Sequence, residues 1–530
     1  MSANSDADAV EQEPFRKLTM NKRQIGFAMV GLMLAMLLAV LDQTIVSTAL
    51  WTIVRDLDPA NGLAHMSWLV TAYLLASTAT QPLYGKMSDL YGRKKIFMLS
   101  IVLFLFGSAL CGLSQNMMQL ILFRGVQGLG AGGLMSLSMA IIGDMIPPNR
   151  RGKYSGLFAL VFGIGSVFGP LIGGFLTDAH GFLGLTTNWR WVFYINLPLG
   201  ILALAVIQKV LHLPKFKHKH HIDYFGAGLM MAGVSALLLV LEWGGSQYAW
   251  TSSTIIGMAA AGVALIAGFL YRERKADEPI LSLHLFKNSV FRVGVPVLFI
   301  MGSALFGALI YISLYFQLVN GMTPTAAGLH LIPMTLGMML ATGVTGALIS
   351  KHGRYKVFPI VGMAFVTIAL TLLGMLTATT ASWQLSAYLF LLGLGMGQVM
   401  QVITMAVQNA ISPREMGAGT AATVFFRSLG GVIGSAVFGV ILTNRLAANL
   451  PSGYSSGSSM PDTSVIHSLP IAVQHMIFEA FTKSTNTVFL CAAALTSVGF
   501  LLTFFLREMR LRNDNEHETM EEIAERSEIA

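Results

Sequence analysis

Residues 85–95 read GKMSDLYGRKK, a charged turn with two glycines that lies between two long apolar runs. Residues 346–356 read GALISKHGRYK and repeat this turn in a weaker form. In the second copy Gly353 and Arg354 take the places of Gly92 and Arg93. A duplicated turn is typical of membrane chains built from two similar halves, so the sequence predicts the architecture of a transporter.

The composition predicts a membrane protein. Hydrophobic residues make up 54% of the 530 residues and charged residues 11%, whereas soluble globular proteins carry about 25% charged residues. The net charge of +8 comes from basic loops and does not indicate nucleic-acid binding. The two cysteines, Cys111 and Cys491, both lie in apolar runs. No disulfide, metal site or cofactor is therefore predicted.

Fourteen apolar runs are long enough to cross the ~30 Å hydrocarbon core of a bilayer. They are too long for the strands of a membrane barrel, so each is predicted to be a helix. The fold class predicted is an all-α integral membrane protein with 14 transmembrane helices. The runs are 24–50, 66–85, 95–114, 117–143, 154–177, 191–211, 222–242, 253–271, 291–318, 324–349, 356–376, 383–410, 416–442 and 485–506.

The basic residues set the orientation. With both termini in the cytoplasm, most of the 34 Lys and Arg fall in cytoplasmic loops, as the positive-inside rule requires. The sequence therefore predicts a multi-pass protein of the cell membrane, a bacterial inner or plasma membrane. The tails 1–23 and 507–530 are predicted to be cytoplasmic, and the hydrophilic segment 443–484 an extracellular loop.

A second internal repeat predicts how the spans are grouped. Gly165, Gly169 and Gly174 in span five match Gly430, Gly434 and Gly439 in span thirteen at a constant spacing. This spacing is too long for six spans and suits six spans plus two inserted ones. We therefore predict an N-terminal six-helix half, two inserted helices and a C-terminal six-helix half, with the substrate path between the parallel halves. These domains cover residues 24–211, 222–271 and 291–506.

Four motifs in chain order resemble those of the major facilitator superfamily, specifically its fourteen-span drug:proton antiporters of the multidrug exporter type. They are LDQTIV at 41–46, the turn at 85–95, RGVQGLG at 124–130 and the glycine-proline face of span five. The resemblance implies proton-coupled export of lipophilic compounds by alternating access. It implies proton coupling for Asp42, Arg124 and Gln127, a cytoplasmic gate for Gly85, Asp89, Gly92 and Arg93, and a hinge for Gly165, Gly169, Pro170, Gly173 and Gly174.

Asp42 and Arg124 are charged residues deep inside spans. A carboxylate there costs ~2.5–3.5 kcal/mol, so we expect Asp42 to line a cavity or to be paired. Burial favours the neutral acid, whereas a neighbouring guanidinium opposes protonation, so separation of the pair would let a proton bind. A carboxyl bonded to backbone and a purely structural bridge are the alternatives. The second half has Leu389 at the position equivalent to Arg124.

Other candidate residues follow from their types and depth. The glycines of span five permit close helix packing and Pro170 removes a backbone hydrogen bond, which fits a hinge or plain packing. Asp89 and Arg93 are predicted to latch the cytoplasmic side, although Ser350 replaces the acid in the second copy. Candidate residues of a substrate cavity are Arg427, Tyr311, Tyr315 and Gln317, and a helix-packing anchor is the alternative for Arg427.

The predicted partners are lipophilic small molecules, protons and the bilayer, and the chain is expected to be a monomer. With Asp42 as the only deep acid, a lipophilic monocation or a neutral amphiphile suits the cavity. No GxxxxGK[ST] loop is present, so neither a nucleotide nor an enzymatic activity is predicted. The alternatives are an exporter of a physiological solute (an amino acid, lipid or secondary metabolite) and a non-transporting membrane sensor.

Overall fold

The computed structural model shows a bundle of long helices. It describes residues 22–58, 62–146, 148–177, 181–182, 185–186, 188–211, 223–245, 247–276, 279–322, 324–377, 379–412, 415–450 and 470–509. In chain order the helices are α1 (Lys22–Leu57), α2 (Gly62–Tyr91), α3 (Arg93–Leu113), α4 (Met117–Met145), α5 (Pro148–Thr177), α6 (Trp191–Tyr194), α7 (Asn196–Val210), α8 (Tyr224–Trp243), α9 (Ser253–Glu273), α10 (Ser289–Leu318), α11 (Pro324–Leu329), α12 (Ile332–His352), α13 (Val357–Leu373), α14 (Ser382–Ala410), α15 (Met416–Asn449) and α16 (Ile471–Phe504).

Each of the fourteen predicted runs overlaps helix in the structure, and two runs are divided between a short and a longer helix (α6 with α7, α11 with α12). Eleven stretches in the described ranges are long and apolar enough to cross a membrane. The prediction of a helical, multi-pass membrane protein is therefore confirmed, whereas the count of fourteen spans stays a prediction. The structure also describes a short 3₁₀ helix, Leu283–Lys287, and two antiparallel strands, β1 (Gly181–Phe182) and β2 (Leu185–Thr186).

The predicted loop at 443–484 is wrong at both ends. Helix α15 continues to Asn449 and α16 already begins at Ile471. Polar side chains facing the bundle explain the error, because Ser484 and Thr485 are fully buried and Ser484 donates a hydrogen bond of 2.7 Å to the Ala480 carbonyl. Such residues lower the local hydropathy without ending the helix. Residues 451–469 lie outside the described ranges.

Both copies of the repeated turn pass through a glycine with a left-handed backbone. Gly92, between α2 and α3, has φ +93°, and Gly353, after α12, has φ +70°. Only glycine adopts this region without a steric penalty from Cβ. The backbone requirement accounts for the glycine that the two turns share.

Two packing arrangements position the candidate site. Helix α5 packs against both α1 and α12, and α15 packs against both α2 and α10. The inserted helices α8 and α9 pack on each other, and α8 also contacts α2 and α15. Helices of the predicted N-terminal and C-terminal halves are thus in direct contact, and the inserted pair contacts both halves through α8.

Candidate functional site

Asp42, in the middle of α1, is fully buried and meets three side-chain donors. Arg124 Nη1 in α4 donates to Oδ2 at 2.6 Å, and Gln127 Nε2, one turn further along α4, donates to Oδ1 at 2.7 Å. Asn196 Nδ2, at the start of α7, also donates to Oδ1, at 2.9 Å. Both carboxylate oxygens therefore accept hydrogen bonds, an arrangement that suits the ionised form.

Arg124 is held by more than the carboxylate. Its Nε donates to the Leu69 carbonyl of α2 at 3.2 Å, and its Nη1 donates to Gln127 Oε1 at 2.9 Å. The guanidinium carbon lies 4.2 Å from the centre of the Tyr73 ring, a cation–π distance. The pair thus joins α1, α2 and α4 in the buried interior, where removing one partner would leave the other charge uncompensated.

Sequence reasoning missed Asn196. Its amide bridges Asp42 and Ser108, with Nδ2 3.0 Å from Ser108 Oγ, and Ser108 in turn donates to the Phe193 carbonyl at 2.9 Å. An asparagine near the start of an apolar run is an available signal, but it does not show which residue it contacts. Asn196 extends the cluster to α3 and α7.

The second cluster lies at the end of the bundle predicted to be cytoplasmic. Asp89, in the last turn of α2, accepts hydrogen bonds from the first backbone amides of α15: Gly417 N to Oδ1 at 3.0 Å and Ala418 N to Oδ2 at 2.7 Å. A carboxylate at a helix N-terminus satisfies free N–H groups and complements the helix dipole. One acid of the first half therefore caps a helix of the second.

Arg93 completes this cluster. It forms an ion pair with Asp89, and its Nε donates to Asp144 of α4 at 2.6 Å. The backbones of α2 and α15 also approach closely here, because a Cβ added at Gly85 would collide with Ala421 and the Gly417 carbonyl. The sequence did not identify Asp144, whose role depends on the approach of α4 to the turn.

Replacing Asp89 with Asn is expected to loosen this end of the bundle. A charge-assisted hydrogen bond contributes about 1.5–3 kcal/mol, so the separated state should become at least about tenfold more populated. A cysteine in place of Val424, which α15 buries among side chains of the first half, reports the separation. We expect alkylation of this thiol to speed up by about that factor in a background without Cys111 and Cys491.

The control for this experiment lies at the other end of the bundle. Asp56 forms a solvent-exposed ion pair with Arg190 at 3.3 Å, and exposed pairs contribute little to stability. Asp56→Asn should leave the labelling rate unchanged. Equal rates in wild type and Asp89→Asn would show that the carboxylate does not hold the two helices together.

The glycine face of α5 packs on α1. A Cβ at Gly165, Gly169 or Gly173 would collide with side chains of α1, whereas Gly174 has open space around it. Thr44 Oγ1 donates to the Gly165 carbonyl at 3.0 Å, so the contact is polar as well as close. Four of the five predicted hinge residues are thus located, and the side chain of Pro170 is outside the described part of the chain.

The structure locates the four predicted cavity residues at different depths in the bundle. Tyr311 and Tyr315 are buried in the core, where their hydroxyls donate to the carbonyls of Ser435 at 2.9 Å and Thr377 at 2.7 Å. Their place in a cavity wall stays a prediction, and these hydrogen bonds fix the positions of both hydroxyls. Gln317 and Arg427 are half-buried. In the described ranges, Arg427 has no hydrogen-bonding or ionic partner for its guanidinium.

The fold is that of a helical, multi-pass membrane protein with an ion pair buried among its helices. Within the described ranges no group of three His, Cys, Asp or Glu side chains is arranged to hold a metal. The sequence profile of the Major Facilitator Superfamily matches residues 32–435. The chain belongs to this family, whose members transport small molecules across membranes.

Individual relatives agree with this assignment. An uncharacterized MFS-type transporter of Mycobacterium tuberculosis is 38% identical over 92% of this chain and 70% of its own length. Multidrug transporter protein MdtP of Bacillus subtilis is 35% identical over 93% of this chain and 94% of its own. Among solved structures, the proton:xylose symporter XylE shares the fold, with a TM-score of 0.61, 16% identity and coverage of 94% and 100% of the two chains.

Proposed function

We propose that this protein exports lipophilic compounds, cationic or neutral amphiphilic, across the cell membrane in exchange for protons. The observation that carries the proposal is the fully buried Asp42–Arg124 pair, with its 2.6 Å contact. A carboxylate and a guanidinium that separate during a conformational change form a device that couples proton binding to transport. The similarity to a transporter named for multidrug transport supports the substrate class.

The cluster of Asp89, Arg93 and Asp144, called the gate cluster from here on, supports alternating access. Asp89 joins α2 to α15 at the predicted cytoplasmic end by accepting hydrogen bonds from two backbone amides of α15. A conformation in which α2 and α15 separate at this end would have to break both bonds. We propose that both termini lie in the cytoplasm and that the chain consists of two six-helix halves with two inserted helices. This architecture permits transport by rocking of one half against the other around a central site. Protonation of Asp42 would then belong to the state in which Arg124 has moved away.

Substrate-induced proton movement in inverted membrane vesicles tests the proposal. Vesicles that hold an acidic interior and an acridine-type pH dye are expected to lose part of their gradient when tetraphenylphosphonium, a lipophilic monocation, is added. Vesicles without the protein provide the control. A preserved gradient together with gradient-independent uptake would contradict antiport, and a response only to an amino acid or lipid would favour the physiological exporter. A membrane sensor would give neither uptake nor proton movement.

A further inference from the structure

A cavity of about 850 Å³ lies where α2, α8, α10 and α15 meet. On α2 it is lined by Val70, Thr71, Leu74 and Leu75, near the start of that helix, whereas Asp89 of the gate cluster lies near its end. The cavity therefore occupies the end of the bundle opposite the gate. Its volume is in the range of sites for drug-sized ligands, about 300–1,000 Å³. Both predicted halves and the inserted pair contribute to its wall.

Helix α8 and the turn that follows it supply one side of this cavity. Leu238 and Leu241 of α8 line it together with Gln247 and Trp250 of the following turn. The Trp250 ring lies so close to the backbone that a Cβ at Gly244 would collide with it. The wall is thus made by close packing of an aromatic ring on a glycine, which gives it a fixed shape.

Aromatic contacts fix this wall against the first half. The Trp243 ring centre lies 5.4 Å from that of Trp68 in α2, in an edge-to-face arrangement, and 6.0 Å from that of Tyr248 in the turn. Such pairs contribute about 0.5–1.5 kcal/mol beyond the area that they bury. The turn also closes on itself through the Gly245 amide, which donates to the Tyr248 carbonyl at 2.8 Å.

The chemistry of the lining favours a ligand without charge. Among the described lining residues none carries a charge, and the polar groups are hydroxyls and amides, such as those of Thr71, Ser435 and Asn444. A charged ligand would lose its hydration here without gaining an ionic partner, whereas an amphiphile with a few hydrogen-bonding groups would not. We propose that this cavity binds an uncharged amphiphilic small molecule and that α8 and the turn after it form one wall of the site.

The site is separate from the buried ion pair. None of Asp42, Arg124, Gln127 and Asn196 lines the cavity, and all four are buried within the first half. The proposal concerns the neutral amphiphilic part of the proposed cargo range and rests on the proposed export function for its biological meaning. Binding can nevertheless be measured without transport, so a failure of proton coupling and a failure of this site are distinguishable.

Two tryptophan substitutions on α15 provide a matched test. Ser435→Trp places a large side chain in the cavity, whereas Val437→Trp places the same side chain on a surface where Val437 is 44% exposed. The probe is an uncharged, diazirine-tagged steroid, titrated against the purified protein in lipid nanodiscs. We expect photolabelled peptides from α2, α8 and α15, and an affinity about tenfold weaker in Ser435→Trp alone, because the filled cavity cannot enclose the ligand.

Several results would overturn the proposal. Equal effects of the two tryptophans, or labels confined to other helices, would show that the steroid binds elsewhere. Displacement of the steroid by tetraphenylphosphonium at lower concentration than by an uncharged competitor would show a cation site. Phospholipid that co-purifies with wild type and is lost in Ser435→Trp, and that displaces the steroid when added, would show that the cavity belongs to the bilayer.

Discussion

Asp42→Asn is expected to abolish proton-driven transport while leaving the two conformations accessible. The amide keeps the shape of the carboxyl but cannot bind and release a proton, so a pH gradient has no group on which to act in the buried cluster. Uptake of tetraphenylphosphonium into inverted vesicles should fall to background under an imposed pH gradient. Counterflow, the exchange of labelled for unlabelled substrate without a gradient, should persist, because it requires the conformational change alone.

The counterflow measurement separates a coupling role from a structural one. Loss of both gradient-driven uptake and counterflow in a correctly folded Asp42→Asn variant would assign the carboxylate to the framework of the bundle. Gradient-driven uptake that survives the substitution would remove Asp42 from the proton path. Asp42→Glu provides the conservative control, since it retains an acid among Arg124, Gln127 and Asn196, and we expect it to retain some gradient-driven uptake.

Arg124→Leu is expected to lower the free energy of unfolding by about 3–5 kcal/mol. The substitution leaves the fully buried Asp42 without its ionic partner, and the cost is that of an uncompensated buried charge. It also removes the hydrogen bond to the Leu69 carbonyl and the contact with the Tyr73 ring. Unfolding of the purified protein by sodium dodecyl sulfate in mixed micelles measures the loss.

A double variant shows whether the charge accounts for the effect. Removing both charges in Asp42→Asn with Arg124→Leu should destabilise the protein less than the sum of the two single changes, because neither charge is left unpaired. Additive losses would indicate that packing of the arginine side chain dominates. The double variant should also lack gradient-driven uptake, so that stability is recovered without recovery of coupling.

Much of the fold could be predicted from the sequence because a bilayer constrains each span separately. The length and hydropathy of a run determine that it is a helix, whatever its neighbours. The boundaries were less accurate where polar residues face the bundle, as at Ser484 and Thr485. Hydropathy records the chemistry of a residue and not the side of the helix on which it lies.

For the candidate site, the sequence determined which residues are expensive to place in a membrane. The depth of Asp42 and Arg124 in their spans, and the glycines at 85 and 92, follow from chain position and residue type alone. The tertiary structure decided what these residues contact: Asn196 lies beside Asp42 and Asp144 beside Arg93. It also placed the amides of α15 against Asp89 and formed the cavity beside α8. These contacts join helices that are far apart in the chain, and their geometry depends on how the helices pack. The free-energy cost of placing a charged residue in a membrane can be estimated from its own segment. A contact between two helices depends on the positions of both helices.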